Sequence, residues 1–82
     1  MPQRVITSVD SLGTMIRARR KELRMSQEEL GRRTGVHQVT LSAIERGSAR
    51  ARLDTLLRVL SALDLELTLQ KKGSNTSSEV DW

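Results

Sequence analysis

Ser26-Gln27-Glu28-Glu29-Leu30-Gly31-Arg32-Arg33-Thr34-Gly35-Val36-His37-Gln38-Val39-Thr40-Leu41-Ser42-Ala43-Ile44-Glu45-Arg46-Gly47 is the stretch around which the rest of the chain is arranged. Ser26 with Glu29 three residues on is a capping box, so a helix starts there with Gln27 in its first turn. Leu30 is the only large apolar residue before Gly35, so this helix is short and buries one narrow face. Gly35 supplies the stop, because a residue without Cβ takes the left-handed backbone that a tight turn requires. Val36 plugs the corner. A second helix then runs from about Gln38 to Arg46 and ends at Gly47, with Leu41 and Ile44 inward and Gln38, Val39, Ser42 and Ala43 outward.

A short helix, a glycine turn and a second helix with a polar outer face make the helix-turn-helix layout, whose second helix enters the DNA major groove. The residues Ser26-Gln27 and Leu30, Gly35-Val36, Gln38, Thr40-Leu41-Ser42, Ile44-Glu45 and Gly47 resemble, in this order and spacing, the Cro/C1 repressor family. The resemblance implies a mostly α fold, a small helical Cro/C1-type helix-turn-helix domain, acting on palindromic double-stranded operator DNA. It also implies that Arg20 of the preceding helix pairs with Glu45, fixing the second motif helix. By the same resemblance Gln27 presents its side chain and backbone N–H to a phosphate.

Base contacts follow from chemistry at the outer face. A glutamine can bond both N6 and N7 of adenine, which makes Gln38 the first candidate for base readout. Val39 and Ala43 are candidates for thymine methyl contacts, and Ser42 for a base edge or a phosphate. Related repressors often carry a second glutamine where Val39 or Ala43 stands, so readout here is expected to be sparser and more apolar. Thr40, Arg46, Arg50 and Arg52 are candidate phosphate contacts. His37 either touches a phosphate or caps the second motif helix.

Upstream, Met1 to Thr7 read as an arm, within which Val5 and Ile6 either pair as an edge strand or tuck under the core. Ser8 is an N-cap with Asp10 in the first turn, where a carboxylate suits the helix dipole. Val9, Leu12, Ile16 and Leu23 recur at helical spacing, which predicts a helix to about Arg24. Arg17, Arg19, Arg20, Lys21 and Arg24 crowd its second half, a like-charge arrangement offset in part by the helix C-terminus.

Downstream, Ser48 to Arg52 form a loop with two arginines and no acid. Leu53, Leu56, Leu57, Leu60 and Leu63 then follow the i, i+3, i+4, i+7 rule of an amphipathic helix. From Leu65 to Lys71 the period changes: Leu65, Leu67 and Leu69 alternate with polar residues, the pattern of a half-buried strand. A lone strand leaves a row of backbone groups unpaired. The expected solution is the same strand of a second copy, antiparallel across a two-fold axis, with pairing to Val5–Thr7 as the alternative. From Gly73 the composition turns to Gly, Ser, Asn and Thr, the mark of a flexible tail. The expected divisions are therefore an arm over 1–7, a DNA-binding and dimerisation domain over 8–72, and a tail over 73–82.

Eighty-two residues with no Phe or Tyr must build a small core from aliphatic side chains. With no Cys and one His, disulfides and common zinc sites are excluded, so no metal or cofactor is expected. No apolar run approaches a membrane span and no signal-peptide core opens the chain, which points to the cytoplasm and no membrane partner. Residues 1–52 carry a net charge of +6 and residues 53–82 one of −2, so the basic half coincides with the motif. Ser, His and Asp occur, but nothing orders them as a triad, so no catalytic residues are expected.

A helix-turn-helix, a leucine-rich fourth helix, one following strand and a tail ending Glu79-Val80-Asp81-Trp82 together resemble the HipB antitoxins. That resemblance implies a homodimer that represses its own operon and binds a HipA-like serine/threonine kinase toxin, with the C-terminal strands forming a two-stranded lid. It places Val80, Asp81 and Trp82 as the toxin-binding end of the tail. Two other readings share the same motif: a stand-alone repressor of the Xre type without a toxin, and a protein-interaction domain on a helix-turn-helix scaffold.

Overall fold

A computed structural model describes residues 5–48 and 50–72 of the chain. Four helices follow one another: α1 (Val9–Glu22), α2 (Gln27–Thr34), α3 (Gln38–Glu45) and α4 (Leu53–Ala62). Helix α1 packs on α3, and α2 packs on both α3 and α4. The core between them is aliphatic. Ile16, Met25, Leu30, Val36, Leu41, Ile44, Val59, Leu60 and Leu63 are buried together, with Leu12, Leu56 and Leu65 packed on their rim.

Each helix boundary has a local cause. Ser8 Oγ accepts from the Ser11 N–H and starts α1, and Ser26 Oγ accepts from the Glu29 N–H and starts α2. The capping box is only half made, because the Glu29 carboxylate turns outward to Arg33 instead of back to Ser26. Gly35 ends α2 in the left-handed conformation at φ 74°. Thr34 staples that corner: its hydroxyl donates to the Leu30 carbonyl at 2.8 Å and accepts from the Val36 N–H at 3.2 Å. Arg58 of α4 donates to the Thr34 carbonyl at 3.0 Å, satisfying one of the acceptors a helix end leaves open.

Several expectations shift. Helix α1 ends at Glu22 rather than about Arg24, because Arg24 adopts a left-handed backbone at φ 56° and turns the chain toward α2. Of the apolar residues whose spacing marked this helix, Ile16 is buried, whereas Val9 and Leu23 are exposed. In α4 the leucine stripe is wider than the core it faces: Leu60 and Leu63 are buried, whereas Leu53 and Leu57 are exposed. Val59, outside that stripe, is fully buried.

No strand occurs among the described residues. Leu65 packs on the core rim and its N–H donates to the Leu60 carbonyl at 2.8 Å, closing the end of α4. Beyond it the alternation is not used within the chain: Leu67 is 55% and Leu69 80% exposed. Val5 to Thr7 also form no strand, and Ile6 is half-buried. The physical reason is simple. A strand exists only with a hydrogen-bonded neighbour, and the described chain offers this segment none. The tail reading, with Val80, Asp81 and Trp82, falls outside the described residues.

Candidate nucleic-acid interface

Helices α2 and α3 meet at the Gly35–Val36 corner, and a row of polar side chains spans the open side of that corner. Arg20, buried on α1, donates from Nε to Glu45 Oε2 at 2.7 Å and from Nη2 to Glu45 Oε1 at 3.0 Å. Its remaining nitrogen, Nη1, donates to the Met25 carbonyl at 2.8 Å. The hydrogen bonds to Glu45 hold the Arg20 guanidinium above its already high ordinary pKa; burial opposes this, and the Glu45 charge adds to it. The group is therefore permanently charged, and its burial is tolerable because every arm of the fork is engaged. No buried side-chain nitrogen or oxygen among the described residues lacks a partner.

The network continues outward. Gln27, the first residue of α2, donates from Nε2 to Glu45 Oε1 at 3.1 Å. Gln38, the first residue of α3, donates from Nε2 to Gln27 Oε1 at 3.5 Å, at the outer limit of a hydrogen bond. One chain of side chains thus joins α1, the end of α3, the start of α2 and the start of α3. It holds the two glutamines side by side at the helix N-termini.

On the outer face of α3, Gln38 is exposed and Val39 is 80% exposed. Ser42 and Ala43 are half-buried rather than fully outward, because α3 is short and its flanks lean on neighbouring helices. Arg46 is exposed and its guanidinium donates to Ser42 Oγ one turn back. Thr40 is half-buried. His37 occupies the N-cap position of α3 with an extended backbone, but its side chain makes no capping hydrogen bond. In the following loop Arg50 is exposed beside a shallow apolar cleft with Val9, Leu12, Ile44 and Leu56. Arg52 is exposed and lies 3.2 Å from the Asp54 carboxylate, which partly neutralises it.

Gly13 went unremarked in the sequence, yet it sets the position of α3. A Cβ at Gly13 would come within 2.7 Å of the Glu45 carbonyl and would also meet the Ile44 carbonyl. Only glycine lets α1 approach the α3 backbone this closely. The available signal was a glycine inside a helical pattern, which usually marks a packing reason. Gly47 is similarly constrained: it has φ 76°, and a Cβ there would meet Asp10.

These features define a helix-turn-helix DNA-binding domain. The Helix-turn-helix family model matches residues 16–70, and the chain belongs to that family, of the Cro/C1 type. It is 46% identical over 57 residues, 70% of its length, to the HTH-type transcriptional regulator y4dL of Sinorhizobium fredii, of which it spans 29%. It is 43% identical over 53 residues to an HTH-type transcriptional regulator of Methanothermobacter thermautotrophicus, covering 65% of this chain and 77% of that one. Among solved structures it is similar to HipB in a complex with an O2 20mer, with a TM-score of 0.79 and 27% identity. That likeness covers 87% of this chain and 99% of the other. HipB in a HipA-HipB-O2-O3 complex matches with a TM-score of 0.78 at 27% identity, over 85% and 99% of the two chains. The restriction-modification controller protein C.AhdI of Aeromonas hydrophila matches with a TM-score of 0.67 at 29% identity, over 71% and 88%. The family and these relatives are DNA-binding regulators rather than enzymes. Among the described residues no helix is long and apolar enough to cross a membrane, and no acidic, His or Cys cluster could hold a metal ion.

Proposed function

We propose that the protein is a sequence-specific transcriptional repressor that binds palindromic operator DNA as a homodimer. The observation that carries this reading is the pair Gln27 and Gln38, held at adjacent helix N-termini by the Arg20–Glu45 pair. In this reading α3 lies in the major groove. Gln38, Val39, Ser42 and Ala43 face base edges, and Gln27, His37, Thr40, Arg46, Arg50 and Arg52 face the phosphates. Leu65, Leu67 and Leu69 form the strand that pairs with its copy in the partner protomer. An electrophoretic shift assay on the DNA upstream of its own gene tests the reading. A band that resists random competitor DNA is expected, and the absence of any such band would end it.

The finer reading is an antitoxin that autoregulates its operon and binds a HipA-like kinase toxin. It is supported by the likeness to HipB across nearly all of that chain, including HipB bound with HipA. Val80, Asp81 and Trp82 are then the residues that engage the kinase. A kinase-like reading frame beside this gene, whose product is retained by the full chain and lost on removing Val80–Trp82, is the expected result. The likeness to a restriction-modification controller protein favours a second reading, a stand-alone repressor of the Xre type with no toxin partner. A gene with no kinase-like neighbour selects it.

A further inference from the structure

The basic residues of this domain differ in whether the chain itself engages them. Arg19, Arg20, Arg32, Arg33 and Arg52 each have a carboxylate at ion-pair distance, and Arg58 donates to a helix-end carbonyl. Arg46 donates to Ser42. Arg17, Lys21 and Arg24, like Arg50 in the loop after α3 and Lys71 and Lys72 after α4, are exposed and have neither an ion pair nor a side-chain hydrogen bond among the described residues. The first three belong to α1 and the turn that follows it.

Arg17 and Lys21 stand along one edge of α1, and Arg24 follows in the turn that leads into α2. Gly13 lies against the carbonyls of Ile44 and Glu45, and Arg20 reaches the Glu45 carboxylate, so this face of α1 is the one that touches α3. Arg17 stands four residues after Gly13, and Lys21 four after Arg17. Helical rows of this spacing are neighbours on the surface. The Arg24 N–H donates to the Lys21 carbonyl at 2.9 Å, which holds the turn containing Arg24 against the end of α1. Two residues later Ser26 caps α2, whose first residue is Gln27. The row therefore runs from the α1–α3 seam to the start of α2.

The chain itself rewards this arrangement little: Lys21, in the last turn of α1, suits the helix C-terminus. Arg17 and Lys21 are like charges at i, i+4, which disfavours the helix. Arg24 holds a left-handed backbone that glycine or asparagine adopts with far less strain. Unneutralised cations kept at the expense of stability, in a line ending beside Gln27, fit a polyanion laid across them.

We propose that Arg17, Lys21 and Arg24 are a second phosphate-binding row, which extends the contact from the start of α2 onto the DNA backbone flanking each half-site. The inference rests on the DNA-binding reading above. Such contacts carry no base preference, release counterions, and steepen the salt dependence of binding.

The test uses a duplex selected by the full chain from a random-sequence library, with affinities measured by fluorescence anisotropy across salt concentrations. Arg24→Gln keeps the strained backbone and removes the charge. It should weaken the selected duplex and an unrelated duplex alike, by roughly threefold at low salt, and make the log-affinity against log-salt slope shallower by about 0.9 for each contact removed. Arg17→Gln with Lys21→Gln should add a comparable change. Arg24→Gly should lose the same affinity while its melting temperature rises by about 3 °C, since the left-handed strain is relieved. Unchanged slope and affinity in all three variants, with wild-type protein binding normally, would overturn this row alone. Wild-type protein that selects no duplex would overturn the DNA reading and the row with it.

Discussion

Arg20 and Glu45 meet as a two-pronged ion pair, Nε to Oε2 at 2.7 Å and Nη2 to Oε1 at 3.0 Å, with both side chains buried. The pair joins the last turn of α1 to the last residue of α3, and Glu45 Oε1 also accepts from Gln27. Removing one partner strands the other charge. Glu45→Ala should therefore destabilise the fold by about 3–5 kcal/mol, measured by urea unfolding. Replacing both, Arg20→Met with Glu45→Leu, should recover much of that loss, because two apolar groups leave nothing unpaired. A loss below about 1 kcal/mol for Glu45→Ala would place the pair among ordinary surface contacts.

The contrast between what the sequence revealed and what it concealed has a physical pattern. Turn and cap chemistry is local, so Ser26, Gly35 and the two short helices around them were legible from residue type and spacing alone. Arg20 and Glu45 are 25 residues apart and carry no local signal; they were paired only through resemblance to a family. Gly13 and Val59 were not legible, because what decides them is the surface another helix brings to them. The same holds for the segment after α4. Alternation at Leu65, Leu67 and Leu69 is visible in the sequence, but its hydrogen-bond partner is not.

Gly13→Ala sets two effects against each other. In an exposed helix interior the change gains about 1 kcal/mol, through better helix propensity. At this position the added Cβ meets the backbone carbonyls of Ile44 and Glu45, which cannot rotate away as a side chain could. Overpacking of that kind costs about 1–3 kcal/mol, so the net effect should be destabilising. Operator affinity should fall further than stability alone explains, since α3 must shift relative to α1. An unchanged or raised melting temperature would mean that the α1–α3 seam is looser than its geometry indicates.

Gln38 and Gln27 are expected to separate base readout from phosphate contact. Gln38→Ala should cost on the order of 1–3 kcal/mol per half-site on the preferred operator and relax base preference at one position. Gln27→Ala should weaken operator and random DNA together, because a phosphate contact carries no sequence information. Parallel titrations of both variants on both duplexes make the comparison. Equal losses on the two duplexes for Gln38→Ala would remove Gln38 from the base-reading set.

Leu67 and Leu69 bear on the oligomeric state. Side chains that alternate with Glu66, Thr68 and Gln70 yet stand largely exposed are poorly placed in a lone chain. Antiparallel pairing with a second copy would satisfy the backbone row and gather Leu67 and Leu69 of both protomers on one face. It would also set two α3 helices about a two-fold axis, as half-sites one helical turn apart require, ~34–36 Å along the duplex. Light scattering at micromolar concentration should accordingly give twice the 9.2 kDa chain mass. Leu67→Pro removes a ladder donor inside the strand and should shift the mass toward a single chain. Its α-helical circular dichroism should persist, because no helix of the domain includes residue 67. If the Leu67→Pro protein kept the dimer mass, pairing through this segment would be wrong, and the exposed leucines of α4, Leu53 and Leu57, would be the next place to seek the two-fold contact.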